Sequence, residues 1–184
     1  MNRIFFLDRD GVVNSEVDYL HEPDKMQLLP GVPEAVREIH RAGFLAVIVT
    51  NQSGIARKMY GADDMLAVHA RIQRELLQYG GECVLDGFYF CPHHKDITGE
   101  CICRKPHPGM LLAGCRDFQG DAAQSFMIGD RMSDLMAGRN AGCKASVLVL
   151  TGYGKNETAK AGNAGFQIAD GILEAVNLLL GREI

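Results

Sequence analysis

Ile4-Phe5-Phe6-Leu7-Asp8-Arg9-Asp10-Gly11 follows directly on three opening residues. Four consecutive apolar residues predict a buried strand, and Gly11 lets the backbone turn sharply where that strand stops. Two carboxylates, Asp8 and Asp10, then stand at the strand's carboxyl end, where open α/β sheets place their ligands. Charges so close to a hydrophobic core need a counter-ion, most simply a divalent cation. Taken alone, the tetrapeptide would equally describe a turn aspartate and a capping aspartate. The rest of the chain separates the two readings.

Strand-like and helix-like segments alternate onward. Pro30-Gly31-Val32-Pro33 opens a helix through about Arg41, with Pro33 suited to a first turn and Gly43 as the stop. Phe44 to Val49 is a second apolar strand. A helix follows from about Asp63 to Tyr79, with Met65, Leu66, Val68, Ile72, Leu76 and Leu77 at helical spacing. Further strands are expected at Phe88 to Phe90, Ser125 to Ile128, Ser146 to Leu150 and Phe166 to Ile168. Helices are expected near Met110 to Asp117, Leu135 to Asn140 and Ile172 to Leu180. This alternation predicts an α/β fold, a doubly wound, Rossmann-like parallel sheet with right-handed crossovers.

The chain has 184 residues, enough for one domain spanning 1–184 with helices on both sheet faces. Its 47% apolar and 23% charged residues are ordinary for a globular protein. A net charge of -4 argues against a nucleic-acid partner. No apolar stretch approaches a membrane span. The N-terminus runs straight into the first strand, leaving no room for a signal peptide, so a cytoplasmic protein is expected. Six cysteines in a reducing compartment then suggest thiols and metal rather than disulfides.

Three other strand ends carry matching chemistry. Thr50 closes the second strand ahead of the turn Asn51-Gln52-Ser53-Gly54, a hydroxyl and free backbone N–H groups suited to phosphate oxygens. Arg104-Lys105-Pro106 places two cations just before a helix, where they can neutralise or grip a phosphoryl group. Met127-Ile128-Gly129-Asp130 ends another apolar strand in an acid, with Asp134 at the mouth of the following helix. Each has a plain alternative as a turn residue, surface cation or helix cap. Four strand ends bearing Asp-x-Asp, Thr, Arg-Lys and Asp-x-x-x-Asp in that order are hard to assign to chance.

A second cluster is Cys91-Pro92-His93 and Cys101-Ile102-Cys103, framing a seven-residue loop over about 91–103. Three thiolates and an imidazole suffice for a closed tetrahedral zinc site, leaving no open position for catalysis. His94 competes with His93, which is preferred because Cys91-x-His93 mirrors Cys101-x-Cys103. Cys83, Cys115 and Cys143 are expected to be small core residues. His21, His40, His69 and His107 lack a comparable cluster and are expected in ordinary structural roles.

On these motifs the sequence resembles the haloacid dehalogenase superfamily of phosphohydrolases over essentially the whole chain. The resemblance implies that Asp8 is the nucleophile and that Asp10 protonates the leaving oxygen, then activates water. It implies Mg²⁺ held by Asp8, the Asp10 carbonyl and Asp130, with Asp134 behind them, and phosphoryl oxygens steadied by Thr50 and Lys105. DRDG, TNQSGIAR, CPHH, the CxC pair and RKPHPGM narrow it to the heptose 1,7-bisphosphate 7-phosphatases and the related histidinol-phosphate phosphatases. Such enzymes are capless, and between Thr50 and Lys105 the chain has room only for a helix, a strand and the zinc loop.

By the same resemblance Glu16, Asp18, Tyr19, Asn51, Gln52, Ser53, Arg57, Arg104 and Arg131 line the substrate. One departure stands out: many heptose enzymes have lysine where this chain has Arg131. Arg57, Lys58, Arg104 and Arg131 offer more cationic charge than one transferring phosphate needs, which favours a sugar bisphosphate over histidinol phosphate. The expected partner is a small phosphorylated sugar on a route to lipopolysaccharide core or another heptose glycan, handled by a monomer. A phosphorelay receiver module is the rival of another class. It would need a phosphoacceptor aspartate closing the third strand, where Phe90-Cys91 stands instead.

Overall fold

The computed structural model describes residues 1–182, and the predicted alternation of strands and helices is present within them. The domain expected over 1–184 ends in two residues outside that range. The elements run β1 (Ile4–Leu7), α1 (Val32–Arg41), β2 (Leu45–Asn51), α2 (Ala62–Leu77) and β3 (Gly87–Cys91). The short α3 (Lys95–Thr98) and α4 (Gly109–Asp117) lead to β4 (Phe126–Gly129) and α5 (Met132–Ala141). Then come β5 (Ala145–Val149), α6 (Gly154–Asn163), β6 (Gln167–Ala169) and α7 (Ile172–Leu180).

All strand pairs are parallel, in the order β3-β2-β1-β4-β5-β6. The order reverses between β1 and β4, which opens a crevice above their carboxyl ends. The acidic ends of both strands therefore meet at the one place such a sheet leaves room for a ligand.

Side-chain alternation divides the apolar run of β1 between two cores. Phe5 and Leu7 join Val36 and Ile39 of α1 and Val176 of α7 on one face. Ile4 and Phe6 join Leu111 of α4 and Ala137 of α5 on the other. All four β1 residues are fully buried, which is why the strand reads as continuously apolar rather than alternating. Phe5 anchors its side through Phe44 at 4.9 Å and Phe126 at 5.0 Å between ring centroids. On the opposite face α5 lies close to the sheet, because a Cβ at Gly138 would fall 2.7 Å from the Met127 Cβ.

The fold departs from the sequence expectation in α6. Its residues Gly154 to Asn163 bury only Gly154 and Ala161, so no apolar period announces a helix. Ala161 instead completes a small cluster with Leu135 and Leu148, which only tertiary packing brings together. Phe44 lies just ahead of β2, which begins at Leu45, and α3 adds a helical turn inside the cysteine loop. Cys83 is fully buried, whereas Cys115 and Cys143 are half-buried. Among the described residues no helix is long and apolar enough to cross a membrane.

One histidine ties α1 to the start of β3. His40 Nδ1 lies 2.8 Å from the Glu82 carbonyl, and Nε2 lies 2.9 Å from Asp86 Oδ2. Asp86 also accepts the Ala46 N–H of β2 at 2.7 Å. Both partners of His40 are acceptors, so only the doubly protonated ring satisfies both. The Asp86 hydrogen bond outweighs burial and raises the His40 pKa above its usual 6.5. The stabilisation is therefore complete below the unfolded value and is lost as pH rises through the raised folded value. His40→Ala is expected to lower stability more at pH 6 than at pH 9. Chemical denaturation of both proteins at both pH values checks this, and an equal loss at the two would refute it.

Candidate active site

Lys105 holds the carboxyl ends of β1 and β2 together. Its ammonium donates to Asp8 Oδ1 at 2.7 Å and to the Val49 carbonyl at 2.7 Å, and lies 2.8 Å from Asp134 Oδ1. Three donors thus meet three acceptors, which is how a buried ammonium is kept charged. Burial alone would lower the Lys105 pKa, but Asp134 and Asp8 together outweigh it and raise it. Asn51, at the end of β2, clasps the Lys105 backbone through paired hydrogen bonds of 3.1 Å, fixing where the ammonium enters.

Asp130 lies fully buried beside this pair. Its Oδ2 accepts the Tyr153 N–H at 2.8 Å, while Oδ1 has no partner among the described residues. Gly11, at φ +80°, is what lets the loop after β1 pass so close, because a Cβ there would collide with that carboxylate. Asp8, Asp130 and Asp134 each offer an oxygen, all within 4.8 Å of one another.

Burial pushes the Asp8 pKa up to about 6 against the opposing pull of Lys105. Burial, with Asp8 and Asp134 as negative neighbours, pushes Asp130 up to about 8. An orphaned buried acceptor beside two carboxyls that resist ionising suits a hard divalent cation. Asp134 is less available to such an ion, being engaged by Lys105 and by the Arg131 N–H at 3.0 Å.

Asp10 is oriented from behind. Arg9, fully buried, grips it with Nε at 3.1 Å from Oδ1 and Nη2 at 2.8 Å from Oδ2. Asn14 donates to Oδ1 at 2.9 Å and Gln52 to Oδ2 at 3.0 Å. A cavity of about 440 Å³ opens above these groups. Glu16, Asp18 and Tyr19 form one wall, Thr50 to Ser53 another, and Arg104, Arg131 and Tyr153 the rim. Burial and the nearby Asp10 raise the Glu16 pKa to about 7.

Three expected substrate contacts are placed differently. Arg57 is exposed and absent from the cavity wall, its Nη2 lying 2.9 Å from His94 Nε2 on the cysteine loop. Asn51 and Gln52 reach the wall, but their amides are engaged by Lys105 and by Asp10 and Thr50. Sequence reasoning overlooked Arg9, Asn14, Tyr60 and Tyr153. Arg9 carries no signal of its own along the chain, since a cation between two acids fits a solvent-facing position equally well. Tyr153 had a usable signal, since Thr151-Gly152-Tyr153 follows β5 as the other motifs follow their strands.

The second cluster also assembles. Cys103 Sγ lies 3.2 Å from Cys91 Sγ and 3.5 Å from Cys101 Sγ, and Cys91 Sγ lies 3.6 Å from Cys101 Sγ. His93 Nδ1 is 3.3 Å from the Cys103 sulfur and 3.6 Å from that of Cys91. A tetrahedral zinc with bonds of about 2.3 Å to sulfur needs sulfur edges of roughly 3.7 Å, close to these. His94 turns away, its Nδ1 lying 3.4 Å from the Asp96 nitrogen at the start of α3. Burial raises the Cys91 thiol strongly; at Cys101 the opposing hydrogen bonds, from the Arg104 backbone N–H first and then from the Cys103 and Cys91 thiols, outweigh burial and lower it. The loop reaches the cavity through Arg104, whose Nη1 donates to the His93 carbonyl at 3.0 Å.

A family model described as HAD-hydrolase-like matches residues 102–175. The D-glycero-beta-D-manno-heptose-1,7-bisphosphate 7-phosphatase of Haemophilus influenzae is 42% identical over 180 residues, covering 96% of this chain and 94% of that one. A crystal structure of D,D-heptose 1,7-bisphosphate phosphatase from B. bronchiseptica, complexed with magnesium and phosphate, superposes with a TM-score of 0.87. It is 37% identical and covers 97% of this chain and 98% of that one. The corresponding enzyme structure from Burkholderia thailandensis is 30% identical with a TM-score of 0.73, covering 98% of this chain and 100% of that one. The shared fold, the acid–lysine cluster at the sheet switch point and these near full-length matches place the chain in the heptose 1,7-bisphosphate phosphatase family of HAD-like hydrolases.

Proposed function

We propose that this chain hydrolyses the 7-phosphate of D-glycero-D-manno-heptose 1,7-bisphosphate through an aspartyl-phosphate on Asp8. The observation that carries this is the Lys105 ammonium set between Asp8 and Asp134, with the orphaned Asp130 oxygen alongside, at the foot of the cavity. The relatives' names give the substrate class.

Asp8, the Asp10 carbonyl and Asp130 would hold Mg²⁺, while Asp134 orients Lys105. The ion supplies positive charge that offsets the repulsion between an anionic nucleophile and an anionic phosphate. An Asp8 carboxylate oxygen attacks phosphorus as the bond from phosphorus to the sugar O7 breaks. Asp10 passes a proton to that leaving oxygen. Water then attacks the aspartyl-phosphate, Asp10 accepts its proton, and inorganic phosphate leaves. Lys105 and the Thr50 hydroxyl steady the phosphoryl oxygens throughout. Cys91, His93, Cys101 and Cys103 would hold zinc, which closes the loop that presents Arg104.

The untransferred phosphate is assigned to the rim. Arg131 lies over the Tyr153 ring at 3.6 Å, an arrangement that occupies the guanidinium face and leaves its N–H edges for a bidentate grip. This is the feature that favours a bisphosphate over histidinol phosphate.

Asp8→Asn is expected to abolish phosphate release from heptose 1,7-bisphosphate in a folded protein. Asp10→Asn should reduce kcat on the order of 10²-fold or more; near-native turnover by Asp8→Asn would end the mechanism. Turnover should require Mg²⁺ and stop on mild EDTA treatment, whereas zinc, at about one per chain, should survive it. Metal analysis of reduced, tag-free protein that finds no zinc would remove the structural metal. Arg131→Ala should erode the preference for heptose bisphosphate over histidinol phosphate by about tenfold or more, as lost charge-assisted hydrogen bonds imply. Equal losses in kcat/KM on both substrates would place Arg131 on the transferred phosphate instead.

A further inference from the structure

Tyr60 lines the cavity beside Asp10 and Thr50, but its hydroxyl is turned to a buried amide. The Tyr60 hydroxyl donates to Gln52 Oε1 at 2.5 Å. The other end of the same amide donates twice, to Asp10 Oδ2 at 3.0 Å and to Thr50 Oγ1 at 2.8 Å. Gln52 is 3% exposed, Thr50 1% and Tyr60 8%, so bulk water offers these groups little alternative. From this geometry we infer that Tyr60 is a positioning residue for the phosphatase reaction, acting through Gln52 to set hydrogen-bond direction at Asp10 and Thr50.

A glutamine amide fits its socket in two ways that differ only in which end carries the donors. Turned over, Gln52 would aim its carbonyl at the Asp10 carboxylate, which Arg9 and Asn14 already hold as an acceptor. The Tyr60 O–H favours the productive arrangement because it supplies the donor that Oε1 needs. Burial raises the Tyr60 pKa to about 12, so the phenol remains a donor across the working range.

The consequence reaches Thr50. Its oxygen already accepts from Gln52, so its own proton is left to point elsewhere, and the cavity is where a phosphoryl oxygen would receive it. One buried O–H thus polarises a chain running from Tyr60 through Gln52 to the two groups that handle phosphate and proton. The Tyr60 ring is itself fixed. It stacks on His21 with centroids 5.3 Å apart and planes at 5°, and on its other side Gly54 approaches so closely that a Cβ would overlap it.

This inference rests on the phosphatase reading, and the test separates the two. Wild type, Tyr60→Phe, Gln52→Ala and the double variant are assayed for phosphate release from heptose 1,7-bisphosphate with saturating Mg²⁺, and thermal unfolding is followed in parallel. Tyr60→Phe keeps the ring and its packing, and is expected to lower kcat about tenfold with KM within about twofold, the scale of a hydrogen bond whose loss leaves a buried acceptor unpaired. Gln52→Ala should lower kcat at least as much, and the double variant should match Gln52→Ala alone, because among the described residues the tyrosine's hydrogen bond toward Asp10 and Thr50 runs through Gln52. Unchanged kcat in Tyr60→Phe, a loss confined to KM, or fully additive losses in the double variant would overturn the proposal. A wild type that releases no phosphate would overturn the phosphatase reading instead.

Discussion

Three carboxylates crowd one end of the sheet, and the ammonium of Lys105 bridges two of them. Asp8, Asp130 and Asp134 are all buried, and their oxygens lie within 4.8 Å of one another. Such a cluster is unfavourable in a low-dielectric interior unless positive charge is brought to it. The surrounding architecture is arranged around that constraint. Asn51 clamps the Lys105 backbone, Gly11 and Gly152 allow the loops after β1 and β5 to pass close to Asp130, and the Arg131 N–H takes up the free oxygen of Asp134. Among the described residues no donor reaches Asp130 Oδ1, so one oxygen of the cluster is left unsatisfied.

The cysteine loop belongs to the same constraint although it lies outside the cavity floor. It leaves β3 at Cys91 and returns at Cys103, so the next two residues are the arginine and lysine that face the site. Arg104 is tied to the His93 carbonyl, and Arg57, from the loop after β2, reaches His94. A loop of this length with few apolar residues has little core of its own, and the converging sulfur and imidazole donors are what can hold it to one shape. The loop's shape bears directly on where Lys105 enters between Asp8 and Asp134. The two clusters differ in chemistry, one of oxygen donors at the sheet and one of sulfur and imidazole donors at its edge.

Between Thr50 and Lys105 the chain forms α2, β3, α3 and the cysteine loop, leaving the cavity mouth to short segments from several strand ends. Selectivity in such a pocket falls to side chains that are held rigid before a ligand arrives. Arg131 against Tyr153 and Asp10 against Arg9, Asn14 and Gln52 are of this kind. The polar groups nearest the chemistry are oriented by neighbours that themselves sit in the core, so the scaffold and the site are one hydrogen-bonded unit.

The sequence by itself determined the sheet and the address of the site. The apolar run of β1, repeated at β2, β4 and β5, demanded strands covered on both faces, and the acids and threonine at their ends had to gather where parallel strands finish, whereas Lys105 is delivered to them by the cysteine loop after β3. The spacing of Cys91, His93, Cys101 and Cys103 likewise carried its own chemistry. Other features were settled only in three dimensions. Helix α6 carries no apolar period and exists because Ala161 meets Leu135 and Leu148. Arg57 left the expected substrate wall for His94, and Gln52 turned inward between Tyr60, Asp10 and Thr50. The reason is physical: strand ends are fixed by local pattern and topology, but which partner a long polar side chain finds depends on groups brought near it by packing, and no spacing along the chain encodes those distances.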